Sequence, residues 1–357
     1  MLFFTPGPSQ LYPTVKKHIN TALDLDITSI SHRSDQYKEI HKAVVDGLDE
    51  LLNLNDQYTV FFGGSATEMM ERVLQIRLVK HSVHLVNGAF SKRFYQIARA
   101  ENLDTTIFFR KDGKGFDMPM EEIPGHADVL CLTHNETSTG VITPLSFIES
   151  VKLKSPKLKI ILDVVSSIPV IPFNAAAVDC AFFSVQKGFG LPSGLGVLLM
   201  KNTFLQDVLT ADDLGDDERY HSISSWYKYG SKYQTPETPN VIGIYLLGKI
   251  IHDMIAVGID KIRAETMHKF NLIKKMVQAH PDLSMFVGLE KFQSPSVSTI
   301  SVKGGSQRIV SKLMTEGMQV GFGYGKYKMD QIRIANFAAH SIKDIETLCD
   351  AINNEHF

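Results

Sequence analysis

Tryptophan, cysteine and net charge are all scarce in this chain of 357 residues, which has one Trp, three Cys and a formal charge of −2 at pH 7. Cys131, Cys180 and Cys349 are odd in number and widely spaced. That excludes a disulfide framework and a paired-cysteine zinc site, and points to a reducing compartment, the cytoplasm. Without an excess of basic residues there is no stripe for nucleic acid. The densest basic run, KLKSPKLK at 152–159, and the acidic DDLGDDE at 212–218 read as solvated loops. No segment reaches the roughly 18 apolar residues of a membrane span. The opening MLFFTPGPSQL has neither the basic start nor the long apolar stretch of a signal peptide. Repeats and low-complexity tracts are absent as well. The expectation is a soluble protein with no nucleic-acid or membrane partner, long enough to bury a large core.

What is present is alternation. Seven short β-rich runs lie at 58–62, 83–86, 105–109, 129–133, 160–163, 180–184 and 196–200, with helical patterns at 67–80, 91–101 and 144–152 between many of them. Strands alternating with helices predict an α/β domain whose mostly parallel sheet is covered on both faces. A helix is predicted from 240 to about 253 and a second over 259–280. The texture then changes to strand-like 297–302, helix-like 307–316 and strand-like 318–322 and 331–335. A last helix opens with Ser341 and, three residues on, Asp344, a capping-box-like start. The expected organisation is an N-terminal segment, 1–15, packing on a small domain, then a large domain, 16–250, and the smaller α+β domain, 251–357. Ligands of open α/β sheets sit outside the carboxyl ends of the strands.

SVQKGFGLPSG, 184–194, places Lys187 directly after the apolar run 180–184. An ammonium is costly to desolvate there, so the residue is either a solvated loop lysine or a nucleophile. Three more polar features fall at strand ends. FFGGSATE, 61–68, is a strand, a Gly63-Gly64 turn and a helix start with the small residues Ser65, Ala66 and Thr67. It is either a plain turn or a cradle of backbone N–H groups for a phosphate. LDVVSS, 162–167, ends a strand on Asp163, a cap or a charge aimed at a ligand. THNETSTGV, 133–141, packs hydroxyls and an acid into a turn.

A cradle, a carboxylate and a desolvated amine on adjacent strand ends together suit pyridoxal phosphate. The cradle takes the 5′-phosphate, the lysine captures the aldehyde, and the carboxylate keeps the pyridine nitrogen protonated. Burial lowers a lysine's pKa and so makes its amine nucleophilic. Gly188 and Gly190 then read as room for the ring and for a tight loop. His81 and His84, in HSVH, have no carboxylate nearby in sequence and read as structural, so no metal site is expected.

TPGPSQL near the N-terminus, SHRS at 31–34, GGSATE, NGAF, NETSTG, LDVVSS, SVQKGFG, TPNVIGIYLLG at 238–248 and IRIANF at 332–337 follow one another in order. On these motifs the chain resembles, almost end to end, the class V aminotransferases among the fold-type I pyridoxal-phosphate enzymes, and within them the phosphoserine-specific branch. The resemblance implies that Lys187 is the Schiff-base lysine, that Asp163 pairs with the pyridine nitrogen, and that Gln186 contacts the ring or phosphate. It further implies that Thr137 faces the ring's 3′-oxygen and that Ser65, Ala66 and Thr67 form the phosphate turn. Phe90 falls where the family stacks an aromatic on the cofactor. Thr238 matches a threonine that reaches the cofactor phosphate of the neighbouring subunit, which implies a homodimer with shared active sites.

Such an enzyme alternates an amino acid and a 2-oxo acid. Arg333 matches the family's clamp on the α-carboxylate, a task that suits a planar fork of donors. His32-Arg33 matches a pair, contributed across the dimer, that binds the phosphate of phosphoserine or the distal carboxylate of glutamate. The implied reaction exchanges phosphoserine and 3-phosphohydroxypyruvate against glutamate and 2-oxoglutarate in serine biosynthesis. Relatives commonly carry a further His-Arg shortly before the clamp, where this chain reads Gly325-Lys326-Tyr327-Lys328-Met329. Lys326 and Lys328 are therefore candidates for that charge. Pro6 stands where a serine is common. An alanine– or serine–glyoxylate aminotransferase shares the quoted motifs and stays open as the alternative. A cysteine desulfurase would place His where this chain has Gln186, and a non-catalytic relative would lack Lys187, Asp163 or Arg333.

Overall fold

A computed structural model describes residues 1–117, 123–212 and 219–353, so most of the acidic run at 212–218 lies outside the described residues. Seven strands form one sheet in the order Tyr58–Gly63, Gly196–Lys201, Cys180–Ser184, Lys159–Asp163, Val129–Thr133, His81–Val86 and Asp104–Phe109. Gly196–Lys201 is antiparallel to both neighbours and the other pairings are parallel. The expected mostly parallel α/β sheet is therefore present, and each of the seven runs contributes a strand. Val129–Thr133 and Cys180–Ser184 are buried at every position, as strands sandwiched between helical layers must be. Phe62, Leu130 and Phe183 pack in one core with Asp35–Leu52 and Val241–Val257. Their neighbours Phe61, Cys131 and Phe182 pack in another with Ala66–Leu74, Ala89–Ala100 and Ile223–Gly230.

A second, five-stranded sheet has the order Leu2–Phe4, Met318–Phe322, Gln331–Ala335, Val297–Val302 and Leu283–Met285. Ile259–Ala279, Gln307–Thr315 and Ile342–Asn353 bury their apolar stripes against it. Ser341 and Asp344 cap the last helix reciprocally, with N–H to carboxylate at 2.8 Å and N–H to hydroxyl at 3.1 Å. Leu2–Phe4 pairs parallel with Met318–Val320; a strand of three residues is too short to announce itself by alternation. The backbone then crosses to the lysine loop, where Ser9 N donates to Gln186 O at 3.2 Å and Tyr12 N to Gly190 O at 2.8 Å.

The helix expected over 67–80 ends at Leu74. Ile76 and Val79 beyond it are still buried, so the apolar period outlasts the hydrogen-bonded helix. Val15–Asp24, Asp35–Leu52, Asn202–Asp212 and Ile223–Gly230 are additional helices. Among the described residues no single helix is long and apolar enough to cross a membrane.

Candidate active site

Ser65, Ala66, Thr67, Phe90, Thr137, Asp163, Gln186, Lys187 and Arg333 line one cavity of about 280 Å³. It lies where the fold rule places ligands, at the carboxyl ends of the large sheet's strands. Asp163 and Ser184 are the last residues of their strands, and Lys187 follows in the loop that turns back into Gly196–Lys201.

Lys187 is 8% exposed. Its Nζ lies 3.4 Å from Thr137 Oγ1 and 4.9 Å from the centre of the Phe90 ring. Burial lowers its pKa to about 8, against the pull of Asp163. Burial also raises Asp163 to about 7, opposed by the Val165 N–H, which donates to Oδ1 at 3.0 Å, and by Lys187. Gln186 Oε1 is buried without a hydrogen-bond partner. A cationic group beside Asp163 and a donor beside Gln186 would satisfy both.

Met69 N to Ser65 O, at 3.2 Å, is the first full turn of Ala66–Leu74, so the preceding N–H groups have no intrahelical acceptor. The Ala66 N–H goes to Ser184 Oγ at 2.7 Å and that of Glu68 to Ser65 Oγ at 3.1 Å. The resulting turn presents a helix N-terminus to the cavity, a suitable end for a dianion.

Arg333 is half-buried and held from two sides. Nε donates to Phe322 O at 2.8 Å and Nη1 to Thr137 O at 3.1 Å. Burial lowers its pKa to about 10, and its guanidinium lies 5.4 Å over the Tyr324 ring, which in turn is 5.7 Å from Phe90.

Tyr324 and the segment Pro6, Gly7 and Pro8 also line the cavity, and sequence reasoning missed their roles. A Cβ on Gly7 would come within 2.7 Å of Lys187 Cε, which accounts for a residue without a side chain there. Gly188 corrects the reading of ring space: a Cβ on it would meet Ile168 O at 1.9 Å, so the residue permits contact with a neighbouring backbone. Gly190, at φ +60°, does serve the tight loop.

The acid of THNETSTGV, Glu136, is fully buried. One oxygen accepts from Ser91 N and Ser91 Oγ at 2.8 Å each; the other accepts from Phe90 N at 3.3 Å, Ser138 N at 3.2 Å and Ser138 Oγ at 2.6 Å. Its carboxyl takes the donors at the start of Ala89–Ala100, and so fixes the helix that carries Phe90.

His32, Arg33 and Thr238 are not brought to this cavity within one chain. Arg33 donates to Gln234 Oε1 at 2.9 Å and to Pro236 O at 3.2 Å, and stacks 4.7 Å over Tyr229. That places the His-Arg pair beside the segment holding exposed Thr238. The two candidate lysines also separate. Lys326 lines a second cavity, of about 410 Å³, with Lys92, Lys111 and Asp112; it pairs with Asp112 at 3.0 Å, and Tyr324 borders both cavities. Lys328 instead lies 5.9 Å over the Phe322 ring. His81 and His84, at an odd spacing in a strand, fall on opposite faces.

A family profile described as aminotransferase class-V matches residues 1–325. The chain is similar to a crystal structure of a phosphoserine aminotransferase from Cytophaga hutchinsonii, at 40% identity and a TM-score of 0.95, covering 99% of this chain and 98% of that one. It is 27% identical to the phosphoserine aminotransferase of Rhodococcus opacus (strain B4), over 98% of this chain and 94% of the relative. An alanine–glyoxylate aminotransferase from Nostoc, at 19% identity and a TM-score of 0.81 over 99% of this chain and 94% of that one, shares the fold.

Proposed function

The chain belongs to the class-V aminotransferase family and is a transaminase; we propose that it works with pyridoxal phosphate and exchanges phosphoserine and 3-phosphohydroxypyruvate against glutamate and 2-oxoglutarate. The observation that carries the cofactor assignment is the buried Lys187 amine in one cavity with Asp163 and the Ser65–Thr67 turn. Bound there, the cofactor supplies an aldehyde for amine capture and an electron sink. The chain supplies the rest. The helix N-terminus and Gln186 would hold the phosphate and ring, Thr137 would donate to the ring oxygen, and Phe90 would pack on the ring. Asp163 would hold positive charge at the pyridine nitrogen. Arg333 orients the α-carboxylate so that Lys187, with its lowered pKa, takes the proton from the substrate's Cα.

The 40% identity to the Cytophaga phosphoserine aminotransferase supports the choice of substrate, as does His32-Arg33. The grouping of His32, Arg33 and Thr238 away from their own chain's cavity supports a homodimer in which they serve the partner's. The division into 1–15, 16–250 and 251–357 and a cytoplasmic location belong to the same reading, the latter supported by three buried free cysteines.

A half-reaction panel tests it. Phosphoserine, serine, alanine and glutamate are each added to the loaded enzyme, and loss of the visible cofactor band is followed. Phosphoserine and glutamate are expected to discharge it fastest; faster discharge by alanine or serine would favour a glyoxylate-linked aminotransferase. Borohydride trapping with peptide mapping should place the cofactor on Lys187, and a label elsewhere would overturn the assignment.

A further inference from the structure

At the opposite end of the large sheet, His81 begins one strand and Asp104 begins the edge strand beside it, directly in register. Parallel register puts their side chains on one face, and Thr106, two residues along, lies on that face too. His81 is 6% exposed. Its Nε2 lies 2.8 Å from Thr106 Oγ1, whereas its Nδ1 is buried without a hydrogen-bond partner. That nitrogen points toward Asp104, 3.9 Å from Oδ2.

The third group arrives from the next strand's entry loop. Asp128 accepts from Lys80 N and His81 N at 2.8 Å each, and its own N–H donates to His81 O at 3.0 Å. This lashing holds the loop against His81 and brings the exposed His126 ring to 4.4 Å, centre to centre. One ligand atom from each of His81, Asp104 and His126 lies within 4.8 Å of the others.

We propose that His81, Asp104 and His126 form a binding site for a single zinc-class divalent ion at the amino-terminal edge of the large sheet. Two imidazoles and a carboxylate suit such an ion, with water completing the shell. With the ion on His81 Nδ1, the ring proton sits on Nε2 and donates to Thr106 Oγ1, the outer partner of the site. Zinc–nitrogen bonds of about 2.0–2.1 Å put tetrahedral ligands roughly 3.4 Å apart. The contraction required falls on Asp104 and His126, both at exposed positions. The strand His81–Val86 separates this edge from the cofactor end by roughly 16 Å at the usual rise per residue. The ion therefore clips edge strand, inner strand and loop together, and takes no part in transamination.

The test uses the full-length, tag-free, cofactor-loaded enzyme, stripped with a chelator and titrated with zinc chloride by calorimetry, then with cobalt(II) for its visible ligand-field bands. One ion per chain is expected, with a rise in melting temperature and unchanged turnover. His126→Ala and Asp104→Asn, both at exposed positions that should leave folding intact, are each expected to weaken binding at least about tenfold, as loss of even an outer partner does. Absence of saturable binding, or binding undiminished in both variants, would overturn the proposal.

Discussion

Arg33 Nη1 donates to Gln234 Oε1 at 2.9 Å, a contact made outside the cavity that holds Lys187. If His32-Arg33 serves the partner's substrate, two broken chains can repair one another. Lys187→Ala and Arg33→Ala homodimers should both be poorly active. Co-expressed at equal levels, half the dimers pair the two, and each such dimer has one intact site, so about a quarter of wild-type activity should return. Activity no higher than the average of the two homodimers would mean that the pair acts within its own chain.

Cofactor capture should report the lysine. Burial brings Lys187 to about 8, and only the neutral amine attacks the aldehyde. The rate at which the cofactor-free enzyme takes up pyridoxal phosphate should rise with pH and level off above about 8, followed by the growing visible band. A profile still rising steeply near pH 10 would indicate an ordinary, solvated lysine.

Asp163 makes an opposite prediction for stability. Its folded pKa, about 7, exceeds the ordinary 3.8, so between these values the folded state binds the extra proton. Its contribution is complete below the unfolded value and is lost as pH rises to about 7. Cofactor-free Asp163→Asn should therefore gain on wild type as pH rises from 4 to 7, with a ceiling of about 4 kcal/mol, measured by urea unfolding. Under the proposed function the same variant should bind cofactor less tightly, because it lacks the charge that would face the pyridine nitrogen.

Glu136→Ala removes the acceptor for Phe90, Ser91 and Ser138 donors at once. A loss of about 3 kcal/mol is expected in urea unfolding, together with weaker cofactor binding at fluorescence titration, since Phe90 would lose its fixed position. Unchanged cofactor affinity would limit Glu136 to a structural cap.

Lys326 and Lys328 should behave differently although only Tyr327 separates them. Lys326 lines the cavity that borders the one holding Lys187, so under the proposed function Lys326→Ala should raise the KM for phosphoserine roughly tenfold, the value of one charge-assisted contact, with kcat little changed. Lys328→Ala should leave both constants near wild type. Equal effects in steady-state assays would contradict the separation of the two lysines.

The seven strands were legible because buried parallel strands are continuous apolar runs, and 129–133 and 180–184 are that pattern in pure form. The cavity residues Lys187, Asp163 and Ser65–Thr67 were legible because each ends a strand, follows one within a few residues or opens a helix, where the chain's polarity changes abruptly. Tyr324 and Pro6 were not, since their place beside Lys187 comes from the second sheet's packing rather than from local pattern. His126 was equally opaque: nothing in sequence joins it to His81 until Asp128 draws its loop across the strand.

The crossing of the first residues between the two sheets sets a mechanical limit. Leu2–Phe4 is zipped to Met318–Val320, and Ser9 is bonded to the backbone of Gln186, next to Lys187. Residues 5–8 between them form a leash that extends to roughly 14 Å when taut, and it is folded on itself by the Thr5 hydroxyl donating to Pro8 O at 2.6 Å. Small rotations of the five-stranded sheet can be absorbed by that slack. Larger ones must either unzip the first strand or tug the loop that carries Lys187, so the chain's first residues govern how far the site can open before the lysine itself is displaced.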